Sequence, residues 1–425
     1  MFLIGTVFGA TAFSILAAWL TTIGIAVPPG LPQVIVVGTF AVNWGLNPTS
    51  ARIPRTYRWA LCALVAYLSA DVLLGEHSAG SYGLGALLTF TFVPLFLFGV
   101  HTRVHERTIA RLLLWLTLLV FALAMTALVS AVSSGTPLRE TPILFRELGA
   151  MGTACNVGAV AAMALSAGSR RQYLYVALAG LLSLAVVLTT LKKSIICNAA
   201  VWVVVLFGNP GISRRAKAGL VLVLMGVFVL GLTAVREELR ANLAITTGAI
   251  GTRNMDALVR PPLYVAAFEV ARDHFPFGSG PGTFASVASM WQGYSDLYYK
   301  YGIARVPALS PELAAKGLSA LYDSFWVHIL AELGFIGSAI YLLLWFLPAV
   351  YANRARNASS TRISRGLLFY VLGVCGVMTV EGIATYNPEV VSFVVFHSGI
   401  AGLIVGNVAR RTRRIERRRV AMGRS

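Results

Sequence analysis

The sequence predicts an all-α, polytopic helix bundle in a membrane, with about twelve spans and one long loop outside the bilayer. Hydrophobic residues make up 57% of the 425 residues and charged residues only 12%, so the polar surface that a soluble globule needs is missing. Apolar stretches long enough to cross a bilayer recur along the chain, and basic residues are concentrated in alternate connections between them. Lipid is therefore the solvent for most of this surface.

Each predicted span meets the length that a bilayer requires, roughly 20 apolar residues at about 1.5 Å rise per residue. The stretches lie near 2–26, 32–46, 58–75, 82–100, 109–132, 149–167, 173–191, 194–208, 217–235, 322–351, 366–385 and 389–408. The first begins without a basic segment and is longer than the core of a signal peptide. We therefore expect it to be a retained span.

Lysine and arginine indicate which connections face the cytoplasm. Six alternate connections hold most of the 35 basic residues and, of the 17 acidic residues, only Glu106 and Glu416. These connections are 47–58, 101–111, 167–172, 209–217, 352–366 and 409–425. We therefore expect both termini to be cytoplasmic. The net charge of +18 follows from this topology and does not indicate nucleic-acid binding.

One long connection divides the chain into parts. We predict nine spans in 1–235, a large periplasmic loop in 236–321, three spans in 322–408 and a basic cytoplasmic tail in 409–425. Within the loop, the segment from Arg260 to Asp273 begins with prolines, which a first helical turn tolerates, and has apolar residues at helical spacing. The stripe consists of Leu263, Ala267, Val270 and Ala271. This pattern predicts an amphipathic helix that lies on or near the membrane.

Ionisable residues fall at the outer ends of several predicted spans, where charges usually face a cavity or a partner. They are Asp71, Lys192, Lys193, Asp323 and Glu381, with Arg260 in the loop. For Asp71 and the two lysines, a position among the lipid headgroups is the alternative. The lysine pair faces outward beside lipid, which suits a lipid-linked phosphate. Glu381 and Asp71 either shape a cavity or pair with these lysines.

The loop also contains spaced glycines and many aromatic residues. Gly278, Gly280 and Gly282 permit tight turns and a close backbone approach to a ligand. The aromatic residues form either an interfacial belt or flat faces for stacking sugars. Phosphate-loop, paired-aspartate and zinc-protease motifs are absent, so we expect no dedicated metal and no cofactor. Beyond the loop, we expect Glu332 to make a helix-to-helix hydrogen bond and His328 to be structural.

The order of these motifs carries a family resemblance. An arginine opens an amphipathic helix at Arg260, spaced glycines follow at 278–282, and Glu332 begins a Glu-x-Gly-x-x-Gly pattern early in a span. This order, beside a long external loop, resembles the superfamily of O-antigen ligases and Wzy-type polysaccharide polymerases. The resemblance implies a GT-C-like glycosyltransferase of the bacterial inner membrane, whose donor is a glycan on undecaprenyl diphosphate at the periplasmic face.

Two departures from the family pattern affect the expected activity. Ligases of this family place a His-Asn pair where this chain has Asp323-Ser324, and an arginine near Lys192-Lys193. The first difference favours a polymerase that transfers glycan to a lipid-linked repeat unit. A ligase acting on a lipid A core or on protein is one alternative, and a lipid-linked oligosaccharide flippase or exporter is a non-enzymatic one.

The outer charged cluster and the order of the motifs together predict a role for each candidate residue. Asp323 would either accept the proton of the acceptor hydroxyl, as a general base, or orient that hydroxyl. Arg260, Lys192, Lys193 and, in reserve, Arg253 would hold the diphosphate. Arg236 and Arg305 are weaker reserve ligands. The glycan would contact Trp291, Tyr294, Tyr322 and Trp326. The implied partners are the undecaprenyl-diphosphate-linked oligosaccharide, membrane lipids and a regulator of chain length.

Overall fold

The structure is a computed structural model that describes most of the chain between residues 54 and 422. The ranges are 54–75, 79–135, 150–167, 169, 171–189, 191–208, 259–316, 320–322, 324–358, 361–383, 385 and 390–422, with isolated positions at 34, 215, 218–219, 221–222 and 226. Regular secondary structure in these ranges is entirely helical. The predicted all-α class is therefore confirmed for them. The spans predicted near 2–26, 32–46 and 217–235 lie essentially outside the described residues.

The described helices fall into three groups along the chain. The first group is α1 Arg55–Leu74, α2 Ala79–Phe90, α3 Phe92–His101, α4 Glu106–Ser134, α5 Ala150–Ser166, α6 Gln172–Leu188 and α7 Lys192–Gly208. The loop contains α8 Arg260–Asp273, α9 Val287–Met290, α10 Asp296–Lys300, two short 3₁₀ helices at Ile303–Arg305 and Pro307–Leu309, and α11 Pro311–Ala315. The last group is α12 Phe325–Ala358, α13 Arg362–Glu381, α14 Val391–Val394, a π-helical turn at Val395–Gly399 and α15 Ile400–Met422.

Several of these helices are long and apolar enough to cross a membrane. Among the described residues these are α1, α4, α12 over Phe325–Arg356, and α13, and the pair α2 and α3, bent by 45°, makes a fifth if it counts as one span. The helices α5 and α6 are apolar but shorter. The described part of the chain therefore supports a membrane helix bundle. The count of twelve spans, the periplasmic position of the loop and the orientation of the termini stay predictions.

The centre of the bundle is α5, whose small residues allow close packing. Its side chains are buried except for the half-buried Leu165, and it packs against α4, α6, α7 and α13. A Cβ on Gly373 of α13 would lie 2.6 Å from a methyl carbon of Val160, so glycine is needed at this crossing. Small residues at helix crossings are typical of membrane bundles, where van der Waals contact stabilises association.

Arginine side chains of the last helix bind residues of other connections at one end of the bundle. At one end, Arg410 donates to the carbonyls of Val100 and Thr102, each at 2.7 Å, and Arg411 lies 3.2 Å from a carboxylate oxygen of Glu106. These contacts join connections that the sequence predicts to be cytoplasmic. The opposite end holds the start of α12 and the end of α13, beside the loop.

The loop forms a second hydrophobic core. The helix α8 has the predicted bounds, and Leu263, Ala267 and Val270 of its apolar stripe are buried against Phe284, Tyr298 and other residues of the loop and of α12. The apolar stripe therefore packs against protein, and the expectation that the helix lies on or near the membrane stays a prediction.

Candidate functional site

Three distant segments of the chain meet at the carbonyl group of Ile383. The hydroxyl groups of Tyr264 and Ser324 both donate to this carbonyl oxygen, at 3.1 and 3.0 Å. The amide of Phe325 donates to the carbonyl of Gly382 at 2.9 Å and strengthens the junction. The helix α8, the start of α12 and the end of α13 are therefore held together at one point.

Arg260 is placed at this junction by α8. It is the first residue of the helix, its side chain is exposed, and it lies one turn before Tyr264 on the same face. Burial raises the pKa of Tyr264 above its ordinary value, while the hydrogen bond with Ser324 and the charge of Arg260 oppose that rise. Tyr264 therefore interacts with both Arg260 and Ser324, the residue that follows Asp323.

Glu381 connects the same junction to α5 and α7. Its fully buried carboxylate accepts hydrogen bonds from Ser194 Oγ at 2.8 Å and from Asn156 Nδ2 at 3.3 Å. Lys193 lies within electrostatic range of this carboxylate. Of the two expectations for Glu381, this geometry supports pairing with a lysine. We refer to Lys193, Arg260, Tyr264, Ser324 and Glu381 together as the Ile383 cluster.

A chain of polar residues extends from Glu381 into the bundle. Asn198 donates to the side-chain oxygen of Asn156 at 2.8 Å and to Ser183 at 3.1 Å, and Trp202 donates to Ser183 at 2.8 Å. Our reading of the sequence missed Asn156 and Asn198. Both are polar residues in otherwise apolar runs, where polar side chains usually have a partner. This pattern could have identified them from the sequence.

The spaced glycines form a turn that inserts into a break in α12. Gly278, Gly280 and Gly282 have φ values of 77°, 89° and 85°, so the predicted tight turn is confirmed. The long helix is interrupted at Gly334, with φ 58° and ψ −169°, which leaves carbonyl groups before it without helical partners. The amides of Ser279 and Gly280 donate to two of them, Ala331 O at 2.9 Å and Glu332 O at 3.0 Å. These glycines therefore allow a close approach to the backbone of α12, whereas the sequence suggested a close approach to a ligand.

Glu332 holds the same turn through its side chain. Its Oε1 accepts from the amide of Phe284 at 2.9 Å and from the hydroxyl of Ser286 at 2.6 Å. The expected helix-to-helix bond is therefore wrong, because both donors belong to the loop. His328, one turn earlier, is buried and its ring packs edge-on against Phe325, at 4.9 Å between centroids, which agrees with a structural role.

A cavity of about 710 Å³ lies on the other side of the glycine turn. Its walls come from the end of α1, from the turn itself and from the segment 289–297. Asp71 is on the wall, where Tyr82 donates a hydrogen bond to its carboxylate at 2.9 Å. This position agrees with the expectation that Asp71 shapes a cavity.

The four predicted glycan-binding aromatics have different surroundings. Tyr294 lines the cavity. Its pKa is raised to about 12, chiefly by burial, so its hydroxyl keeps a proton, which it donates to Leu309 O at 2.8 Å. Tyr322 packs against the core of the loop, and Trp326 donates to Thr379 O at 2.9 Å while packing against Phe325. Trp291 is exposed. Of the four, the cavity contacts Tyr294 alone among its described lining residues.

Other predicted ligands lie where the structure gives no description. Asp323, Arg253 and Arg236 are outside the described residues, and so is the side chain of Lys192. Arg305 is described, and its side chain is exposed. Within the described ranges, no group of His, Cys, Asp and Glu residues is arranged to hold a metal ion.

No protein-family model matches the chain, and no curated protein matches it in sequence. The activity must therefore be argued from the arrangement of residues. In the Ile383 cluster, the charge of Arg260 acts on the hydroxyl group of Tyr264, and the charge of Lys193 acts on the carboxylate of Glu381. Such an arrangement can bind an anion, orient a hydroxyl group and accept a proton.

Proposed function

We propose that the chain is a polysaccharide polymerase, a membrane glycosyltransferase that moves glycan from a polyprenyl diphosphate carrier to a lipid-linked repeat unit. The observation that carries the proposal is the meeting of α8, the start of α12 and the end of α13 at the carbonyl of Ile383. It supports a common site because Arg260 begins α8, Asp323 directly precedes Ser324 in the sequence, and Glu381, two residues before Ile383, interacts electrostatically with Lys193.

The chemistry requires little more than alignment and charge neutralisation. The donor is already activated, because its anomeric carbon is bonded to a diphosphate leaving group. A hydroxyl oxygen of the acceptor sugar forms the new glycosidic bond to this carbon as the bond to the phosphate oxygen breaks. The hydroxyl proton passes to Asp323, and the polyprenyl diphosphate departs with the bonding electrons.

Arg260 and the lysines would stabilise the departing diphosphate. A guanidinium can hold two phosphate oxygens in parallel, and Arg260 is exposed at the first residue of a helix, where it can reach a lipid-borne ligand. Lys193 adds a second positive charge, which the buried carboxylate of Glu381 attracts. Preorganised charges of this kind stabilise the transition state because they need no rearrangement during the reaction.

Tyr264 and Ser324 would fix the position of Arg260 relative to Asp323. Both hydroxyl groups are committed to the carbonyl of Ile383, so they anchor α8 and the residue after Asp323 to α13. We therefore assign them as positioning residues.

A reconstituted assay tests the proposal. The full chain, purified into lipid nanodiscs, is supplied with a lipid-linked repeat unit, and the products are separated by length. A ladder of products is expected for a polymerase. Transfer only to an added lipid A core indicates a ligase, and the absence of any new glycosidic bond indicates a carrier. Either of the last two results overturns the proposal.

A further inference from the structure

The cavity beside the glycine turn differs chemically from the Ile383 cluster. Its described lining residues include the carboxylates Asp71 and Asp296 and no lysine or arginine. A diphosphate or an acidic sugar would meet like charges there without a compensating cation. The electrostatics therefore favour a neutral ligand and leave the diphosphate to Arg260 and Lys193.

The polar groups of the cavity suit a ligand rich in hydroxyl groups. Thr283 and Gln292 line it, and the amide nitrogen of Gln292 donates to Gly282 O at 2.7 Å, which fixes that side chain at the edge of the turn. The ring of His274 is fixed too, since its Nδ1 lies 3.0 Å from Val270 O, a carbonyl that can only accept. The other ring nitrogen, Nε2, can form a hydrogen bond with a sugar hydroxyl, which both donates and accepts.

An exposed aromatic ring adds the apolar face that a sugar needs. Phe275 lines the cavity, yet 63% of its surface is accessible to solvent. An uncovered phenyl ring next to carboxylates and amides gains by stacking against the C–H face of a sugar. The cavity volume of about 710 Å³ is in the usual range for small-molecule sites, about 300–1,000 Å³.

The cavity and the Ile383 cluster are linked through one rigid element. The turn that walls the cavity binds the backbone of Ala331 and Glu332, while the cluster surrounds the first turn of the same helix, α12. Seven residues separate Phe325 from Glu332, which corresponds to about 10 Å along the axis.

We propose that this cavity binds a neutral saccharide segment of the substrate glycan, separately from its diphosphate. The assignment as substrate glycan rests on the proposed function, whereas neutral-saccharide binding does not. The segment belongs to either the donor or the acceptor chain, since both carry the same repeat.

Direct binding tests the proposal without requiring catalysis. Saturation-transfer NMR on the full chain in nanodiscs would use a panel of neutral disaccharides, namely maltose, lactose, cellobiose and N,N′-diacetylchitobiose, with digalacturonate as the anionic counterpart. We expect at least one neutral disaccharide to bind, and digalacturonate to bind at least tenfold more weakly. Tighter binding of digalacturonate, or no binding by any neutral probe, overturns the proposal.

Variants locate the binding. Phe275→Ala and Gln292→Ala should each weaken binding of the neutral probe about tenfold, the equivalent of about 1.4 kcal/mol. Phe268→Ala is the matched control, because this ring is similarly exposed, at 53%, but packs against Phe335 outside the cavity lining. Melting temperatures verify that all three variants are folded. Equal effects from Phe268→Ala and Phe275→Ala would contradict the assignment.

The polymerase assay separates the two proposals and the two sources of the glycan. With a preformed lipid-linked polymer as donor and the lipid-linked repeat unit as acceptor, each varied in turn, the Phe275→Ala variant should have a higher KM for one of them and an unchanged KM for the other, which identifies the bound chain. If the unmodified protein forms no ladder but binds the neutral probe in the cavity, the polymerase proposal fails and the binding site stands. If it forms a ladder and Phe275→Ala changes neither KM, the substrate assignment of the cavity fails.

Discussion

Gly334 packs against Gly278 so closely that a Cβ on Gly334 would lie 2.8 Å from the amide nitrogen of Gly278. The contact joins a break in the long helix α12 to a turn of the long loop, and both glycines have positive φ, 58° and 77°. Glycine is therefore required at both positions for two reasons. Its backbone conformation has positive φ, and the neighbouring backbone leaves no space for a side chain.

The first prediction separates these two requirements. An alanine in the left-handed conformation costs roughly 1–2 kcal/mol. Gly278→Ala should lower the free energy of unfolding by more than this, because its Cβ would lie 2.6 Å from Ala331 O. The matched control is Gly302→Ala, which has a similar φ of 74° and nothing within 4 Å of the added Cβ. Apparent melting in detergent and proteolysis of the loop measure the difference. Equal losses in the two variants would show that the contact with Gly334 is unimportant.

The second prediction concerns Glu332. Glu332→Ala leaves the amide of Phe284 and the hydroxyl of Ser286 without this acceptor in a buried position, and each such group costs about 1–3 kcal/mol. We therefore expect a large loss of stability and faster hydrogen exchange in a peptide that contains Phe284. Ser286→Ala should cost less, and the double variant should cost less than the two single losses combined. Additive losses, or unchanged exchange at Phe284, would contradict the assignment.

The sequence was sufficient for features that depend on local physical chemistry. The prolines and the apolar spacing of α8 predicted a helix from Arg260 to Asp273, and these are its bounds. Apolar stretches within the described ranges likewise coincide with helices such as α4 and α13. A helix and its buried face follow from residues that are three or four positions apart.

Features that depend on distant partners were not predictable in the same way. The sequence placed Glu332 and Gly334 in a Glu-x-Gly-x-x-Gly pattern but did not identify their partners, since Ser286 lies 46 residues away from Glu332. Glu381 and Asn156 are 225 residues apart, and only the packing of α5 against α13 brings them together. The cavity joins Asp71 to the segment 289–297 for the same reason.

The third prediction tests Arg260 in the reconstituted assay. Arg260→Ala should lower the rate of transfer about 10²- to 10³-fold, the effect expected when one preorganised group that stabilises developing charge is removed. Arg260→Lys should restore part of the rate, because it keeps the charge but loses the two-pronged contact with phosphate. Arg272→Ala is the control on the same helix, since this side chain is exposed and pairs with its neighbour Asp273 at 3.1 Å. An Arg260→Ala variant with the full rate would remove Arg260 from the site.

The fourth prediction concerns the charge balance between Lys193 and Glu381. Glu381 is fully buried and its Oε1 is held by Ser194 and Asn156, so removing the positive charge of Lys193 leaves a buried carboxylate less compensated. Lys193→Met and Glu381→Gln should each lower the apparent melting temperature, and the double variant should be more stable than Lys193→Met alone. The activities should not follow the order of stability. Lys193→Met and the double variant should both lose activity, because both lack a ligand for the diphosphate. If Glu381→Gln fails to stabilise the Lys193→Met variant, the two side chains are not energetically coupled, and Lys193 must be positioned by other groups.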